Sequence, residues 1–489
     1  MSDASADALR VREAMPCSVT MPAGTGKTEI IAWLALHAAD RDERALILTH
    51  THAGVDALRQ RLKAMRVPLD RVRIETIASW SHVLVRQYPV LAGVTVPAVP
   101  DWSNSGLYYE GAARVVAAPV MQRVLAATYA FAVVDEYQDC SQRQHALAVA
   151  VGAALPVAVF GDPLQAIFGF EADDPLPSWH GEVETRWPAR AVAAFPWRWR
   201  GHHSRLGEWL LEIREHFDAQ EPIRLDGSAP VHWIPATGPG TAIQACYGLR
   251  SRYPEDSVVA IGLQPHDCVA IAGRLGGSYS LMETIEGRDM VAFAHVVDGR
   301  VGSRIAAATA KWAKGCITGI SKLVQSDDVK KLASGKSTTH LKRPGAEAAH
   351  KCLSRLLIDP SPAAVHAALL AIGEIGGSVY RRDAWYTVLN ALRSTNSGGL
   401  PVAEAVTRYR NRTRATGRRD GRYMVSRPML IKGLEYDHAI VLDAGQHDPT
   451  SLYVALTRAR RSLTIISDAP LLQTAQLAGV GPGWDRRRR

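Results

Sequence analysis

The sequence predicts an α/β protein of two parallel-sheet lobes with small helical insertions. Three observations predict it. Short β-branched runs alternate with amphipathic segments through the first third of the chain, the pattern of strand, loop and helix units. A second set of such runs returns after residue 250. Between its members lies a long stretch rich in Ala, Leu, Lys and Arg at spacings of three and four. The 489 residues are 47% hydrophobic and 21% charged, a globular mixture that excludes intrinsic disorder, collagen-like repeats and a coiled coil.

Taken in order, the first lobe spans residues 1–195, with candidate strands Cys17 to Met21, Ala45 to Thr49, Arg73 to Thr76, Phe131 to Val134 and Val157 to Phe160. Each ends in a polar or glycine-containing loop, where ligands bind in open α/β sheets. A small insertion falls at about 89–130. The second lobe is expected over 196–300 and 425–480, with strands Val258 to Leu263, Val291 to Ala294, Ala439 to Asp443 and Leu463 to Ser467. Residues 301–424 form a helical insertion with breaks near Gly335, Pro344, Pro360 and Gly398, and 481–489 a basic tail.

The net charge of +9 sits in one place. Residues 301–424 hold about 21 Lys and Arg against about 8 Asp and Glu, so the rest of the chain is slightly acidic. A tract from Thr407 to Arg422 has Arg at nearly every second position. Such a surface suits a polyanion by phosphate neutralisation, and equally suits a solvated helical face or a protein-docking surface.

Six cysteines show no C-x-x-C and no clustering with His, which points to reduced thiols rather than zinc or disulfides. Met1 to Arg12 lacks an apolar core segment, and the longest apolar stretch, Ala146 to Phe160, is broken by Gly152 and Pro156. The expectation is a cytoplasmic protein with no membrane partner.

Ala23-Gly24-Thr25-Gly26-Lys27-Thr28 follows a predicted strand and opens a helix predicted over Glu29 to Ala39. In that setting backbone N–H groups and the helix N-terminus cradle phosphates, Lys27 reaches the β and γ oxygens, and the Thr28 hydroxyl is placed for magnesium. ATP and Mg2+ are the expected cofactors. Downstream, the apolar run Phe131 to Val134 leads into Asp135-Glu136-Tyr137-Gln138-Asp139. Adjacent carboxylates at a strand end suit one acid (Asp135) for magnesium and the next (Glu136) to deprotonate a water. Alone, the pair also fits a helix N-cap with a first-turn acid; beside the glycine-rich loop, triphosphate hydrolysis is the leading chemistry.

With these residues and those that follow, the chain resembles superfamily 1A DNA helicases of the UvrD/Rep/PcrA type. Asp135 to Asp139 is similar to their Walker B, Gly161 to Phe168 to motif III, Lys432-Gly433-Leu434-Glu435 to motif V, and Leu456-Thr457-Arg458-Ala459 to motif VI. The resemblance implies two RecA-like lobes of the P-loop NTPase class. It also implies Gln165 as γ-phosphate sensor, Arg458 as arginine finger, and Gly433 and Glu435 at the nucleotide. Phe195 to Arg200 resembles motif IV, which implies Arg200 on the γ-phosphate and Trp199 against the base; the same cluster also reads as a surface helix start with cation–π pairs. Leu48 to Ala53 and Thr76 to Trp80 are similar to DNA-contact motifs and imply His50 and Thr76 at the strand. Phe168 and Phe170 sit where the family places stacking aromatics, and core packing accounts for them equally well.

The sequence departs from the family at several positions. Val11 stands where an adenine-reading Gln is expected, His50 replaces a stacking Phe, Ala53 a Lys, Glu171 an Arg, and Arg427 and Met429 a Thr and a His. Two functions are therefore carried forward. One is an ATP-dependent helicase or translocase on single-stranded or partly duplex DNA, with 3′ to 5′ polarity implied by the resemblance. The other is a helicase-like DNA-sensing ATPase subunit of an anti-phage defence complex such as Gabija, acting with a partner nuclease and unwinding little itself.

Overall fold

The computed structural model describes residues 3–474 except Val99, Phe170, Glu171, Pro239, Ile285, Glu286, Lys342, 396–398 and 417–420, with backbone alone at Ser103 and 414–416. It divides into two compact units: residues 1–231, 447–462 and 471–489 form the first, and 232–446 with 463–470 the second. The first division between these units falls at Val231. The basic tail expected at 481–489 lies outside the described residues.

Unit 1 is built on a five-stranded parallel sheet of β1 (Cys17–Thr20), β2 (Ala45–Thr49), β3 (Val72–Thr76), β4 (Phe131–Val134) and β5 (Val157–Gly161), in the order β1-β5-β4-β2-β3. β2, β4 and β5 are buried along their whole length. That is why they read as continuous apolar runs rather than alternating ones. One apolar layer, from Ile30, Ile31, Leu34, Val55, Leu58 and Leu62, covers one face of the sheet. The other face is covered by Trp80, Val85, Val115, Leu147, Trp179 and Trp187. Residues 89–130 fold into helices Pro89–Ala92, Ser105–Ala117 and Pro119–Thr128.

In this order β5 lies between β1, which leads into the glycine-rich loop, and β4, which leads into Asp135. All three run parallel, so their carboxyl ends share one edge. The loop, the paired carboxylates and the Gln165 segment therefore emerge side by side.

Unit 2 carries a six-stranded parallel sheet in the order His232–Pro235, Ala459–Ser467, Tyr436–Val441, Val258–Ile261, Tyr423–Ser426, Ser280–Leu281. The strand expected at Val291 to Ala294 is a correction, since these residues lie in the helix Arg288–Asp298. Met290, Phe293, Ala294 and Val297 are its buried positions, a helical spacing that the local β-branched content masked. The helical insertion accordingly starts at Arg288 rather than Val301 and runs to the helix Val402–Thr416, around one apolar core in which Phe293 stacks on Trp312 at 5.1 Å. Asp298 closes it by accepting hydrogen bonds from Val402 N and Ala403 N.

Part of the insertion's positive charge is spent internally. Arg381 makes a two-pronged pair with the buried Glu283 at 2.6 Å on each arm, and Arg410, buried, pairs with Asp383. Among the described residues no helix is long and apolar enough to cross a membrane. All six cysteines are free and five are buried.

Candidate nucleotide site

The glycine-rich loop is shaped by its two left-handed glycines. Gly24 (φ 72°) and Gly26 (φ 97°) adopt a backbone that L side chains rarely take. A Cβ on Gly24 would lie 2.7 Å from the Trp199 ring, and one on Gly26 3.0 Å from Trp197. Thr25 Oγ1 donates to Pro22 O at 2.8 Å, and Ala23 is buried beneath the turn. Gly26 then caps the helix Lys27–Ala39 with no side-chain hydrogen bond. The first-turn N–H groups of this helix have no side-chain cap, the arrangement that receives an anion. Thr28 follows in the same turn, half-buried.

Lys27 Nζ lies 3.0 Å from Asp135 Oδ1 and also bonds Glu136 Oε1. Burial opposes the ammonium, but the two carboxylates outweigh it and hold the Lys27 pKa above the ordinary lysine value. For Asp135 burial dominates and raises the pKa, against the pull of Lys27. Glu136 sits at φ 56°, ψ 39°, a left-handed conformation costing a side-chain-bearing residue about 1–2 kcal/mol. Its Oε2 accepts from Gln138 Nε2 at 2.6 Å.

Asp135 and Thr28 supply hard oxygen ligands, the donor chemistry magnesium prefers, and a divalent cation would repay the burial that pushes the Asp135 pKa up. Among the described residues no group of three or more His, Cys, Asp or Glu could hold a metal ion by itself.

Gln165 is buried in the short helical turn Pro163–Gln165 that follows β5 and donates to Asp162 Oδ2 at 2.9 Å, while its Oε1 accepts from Arg458 Nη2 at 3.2 Å. Arg458, 1% exposed, also donates to Val454 O and Thr457 Oγ1. The structure thus brings Gln165 and Arg458 together in unit 1, and Lys27, Asp135 and Glu136 together beside them. Residues 6–171 match the family model of the AAA domain. This AAA domain, with its loop and paired carboxylates, makes the chain a P-loop ATPase. No curated protein matches the sequence.

Trp199, expected against the base, is fully buried and donates its indole N–H to Ala459 O at 2.7 Å, so its ring packs under the AAA domain's Gly24. Trp197 is the exposed ring, 41% accessible and set against Gly26. Arg200, also exposed, places its guanidinium 5.2 Å from the Trp197 ring and 5.9 Å from that of Phe195, the cation–π alternative. Arg198 instead donates to Thr457 O and, through its backbone, to Gly24 O. Thr76, expected at nucleic acid, is buried and uses its hydroxyl to cap the helix Ile77–Gln87, accepting from Ser79 N at 3.0 Å. His50 and Phe168 meet, ring centroids 5.5 Å apart; Phe170 lies outside the described residues. Val11 is core. Gly433 (φ 82°) and Glu435 are exposed on a turn of unit 2.

The helix Pro449–Leu456 that leads to Arg458 is capped by Asp448, which accepts from Ser451 N at 2.9 Å and Thr450 Oγ1 at 2.8 Å. Burial would raise this carboxyl's pKa, but the capping bonds outweigh it and lower the value below 3.8. The cap therefore stabilises fully above the unfolded carboxylate range and is lost as pH falls through the lower folded value. Asp448→Ala is expected to cost about 1 kcal/mol at pH 7. Denaturant midpoints of the two proteins should converge as the pH is taken below 3.8; a constant gap would remove the charge from the cap's contribution.

Proposed function

We propose that the chain is a magnesium-dependent ATPase whose hydrolysis is coupled to movement on single-stranded DNA, 3′ to 5′ as in the UvrD/Rep-type helicases it resembles. The observation that carries this reading is the tilted His50 and Phe168 pair, joined to Gln165 through two intervening residues. Aromatic faces accept any base and suit a single strand. A change at Gln165 on γ-phosphate loss reaches them directly along the backbone.

In this reading Asp135 and Thr28 hold magnesium, which when bound neutralises developing charge on the phosphates. Lys27 moves from the carboxylates to the γ-phosphate. Freed of the ammonium, Glu136 accepts the proton of the attacking water as its oxygen bonds phosphorus and the bond to the β-phosphate oxygen breaks. Gln165 and Arg458 contact the γ-phosphate, and Trp197 with Arg200 flanks the nucleotide.

The test is ATP turnover with and without single-stranded DNA: stimulation is expected, and a flat response removes the reading's main support. The basic helical insertion is the second arm. Arg410 is buried and paired, so a substitution there would confound grip with folding. Arg304, Lys311, Lys336 and Lys351 are exposed. Changing all four to Gln is expected to lower the slope of log affinity against log salt by up to about 3 if each meets a phosphate. An unchanged slope would assign the face to a protein partner.

A second reading, a DNA-sensing ATPase subunit of a defence complex with a partner nuclease, is favoured by Thr76, whose hydroxyl is committed to a helix cap. Co-purification of a nuclease from the native host supports it; a lone monomer that separates strands efficiently opposes it.

A further inference from the structure

We propose that Arg214 is a positioning residue: it fixes Asp162, through Asp162 the Gln165 amide, and through that amide Arg458, tying triphosphate sensing to the helix Pro449–Leu456. The inference rests on the ATPase reading and deepens it. No sequence motif pointed to Arg214, which lies inside the helix Ser204–Ala219.

Asp162 is fully buried, and its two carboxylate oxygens receive Arg214 Nη2 at 2.9 Å and Arg214 Nη1 at 3.0 Å. The same Nη1 donates to the Tyr453 hydroxyl at 2.7 Å, and Tyr453 lies in the helix Pro449–Leu456 that leads to Arg458. Burial alone would depress the Arg214 pKa, but Asp162 and Tyr453 overcome it and raise it further. Both Asp162 oxygens therefore serve as acceptors. Its Oδ2 also takes Gln165 Nε2 at 2.9 Å. The Gln165 amide then has one orientation: nitrogen on Asp162, oxygen on Arg458 at 3.2 Å.

The other end of this relay is set in the same way. Asp162 N donates to Gln138 Oε1 at 3.0 Å, so the Gln138 nitrogen faces Glu136 Oε2 at 2.6 Å. A continuous run of polarised groups thus joins the proton-accepting carboxylate to the arginine: Glu136, Gln138, Asp162, Gln165, Arg458. Arg214 clamps its centre. Without the guanidinium, Asp162 is a buried charge that has lost its two-pronged partner, and its carboxylate is no longer held in one orientation. The Gln165 amide is then free to reverse, turning a donor toward Arg458, and both sensors lose register.

The experiment compares wild type, Arg214→Met, Arg214→Lys, Asp162→Asn and the Arg214→Met/Asp162→Asn double variant in the full chain. Three quantities are read with magnesium present: kcat and KM for ATP, the affinity ratio of ATPγS to ADP by calorimetry, and Tm. Arg214→Met is expected to lower kcat by about 10²-fold, the cost of a misplaced group near reacting atoms. KM should change little, the preference for ATPγS over ADP should be lost, and Arg214→Lys should recover part of both. In the double variant no uncompensated charge remains, so Tm should return toward wild type while kcat and the preference stay low.

If kcat recovers together with Tm in the double variant, Arg214 is only structural and the inference is overturned. It is equally overturned if Arg214→Met keeps both kcat and nucleotide preference, an outcome that leaves the ATPase reading standing. A wild type that binds nucleotide without turnover still reports through the ATPγS to ADP ratio. A wild type that binds neither overturns both.

Discussion

Glu136→Gln is expected to bring ATP turnover to background while ATP binding survives, and Lys27→Ala to abolish both. The two variants divide because the two side chains do different things to the same charge cluster. Lys27 bonds Asp135 and Glu136 and is the cation beside the glycine-rich loop. Its removal leaves two carboxylates, one of them buried, facing an incoming triphosphate with nothing to offset the repulsion. Glutamine at position 136 keeps the size of the side chain and can still accept from Lys27, so the loop and Asp135 remain placed. What disappears is the proton acceptor, a loss of about 10²–10⁴ in rate for a positioned general base. Steady-state turnover at saturating ATP, with calorimetric ATP affinity beside it, checks both. Normal turnover in Glu136→Gln would move the base to another residue and undo the mechanism proposed above.

Arg458→Ala is expected to lower kcat by roughly 10³-fold or more, the range for arginines that meet transition-state charge in phosphoryl transfer. The guanidinium is held before any nucleotide arrives: Val454 O, Thr457 Oγ1 and Gln165 Oε1 all accept from it, and it is buried. A pre-oriented donor in a site shielded from water stabilises charge without reorganising when the reaction occurs. Arg458→Lys is expected to recover little, because a single ammonium cannot reproduce the planar fork that serves several acceptors at once. ADP affinity should be nearly unchanged, since the interaction is with the γ-phosphoryl group. A fall in kcat of less than tenfold, with Tm intact, would remove Arg458 from the chemistry.

Some of this was legible from local pattern. β4 and β5 are buried on both faces, so each appears in the sequence as an unbroken apolar run ending abruptly in acids or in Gly161-Asp162. The glycine-rich loop is equally local: two positive-φ glycines and a lysine at the start of a helix are adjacent in sequence because phosphate is cradled by adjacent N–H groups. The insertion's boundary was not legible. Arg288–Asp298 has enough valine to look like a strand, and only its packing against the helices Gly302–Cys316 and Val402–Thr416 selects the 3.6-residue period.

The tryptophans show the same limit. Pro196-Trp197-Arg198-Trp199-Arg200 offers two Trp-Arg pairs in one short stretch, and composition does not say which faces solvent. A one-turn 3-10 helix at Trp197–Trp199 points Trp199 inward to the Ala459 carbonyl and leaves Trp197 outside against Gly26. Thr76 is ambiguous in a similar way. Threonine before a helix serves a nucleic-acid phosphate or its own helix, and only the fold shows that the Thr76 hydroxyl accepts from Ser79 N.

By itself, then, the sequence determined that this chain has parallel α/β sheets and a glycine-rich loop followed by an adjacent acid pair at a strand end. These depend on interactions between near neighbours and on local burial patterns: unbroken apolar runs for the central strands and a helical period for the helices that cover them. Only the tertiary structure decided which tryptophan is exposed, where the helical insertion starts, and that Arg214 clamps Asp162. Arg214 and Asp162 are 52 residues apart, and Arg458 and Gln165 are 293 apart. No local period encodes such a meeting. It follows from the order of strands in the sheet, which places the ends of β1, β5 and β4 on one edge and brings the helix Pro449–Leu456 back to it.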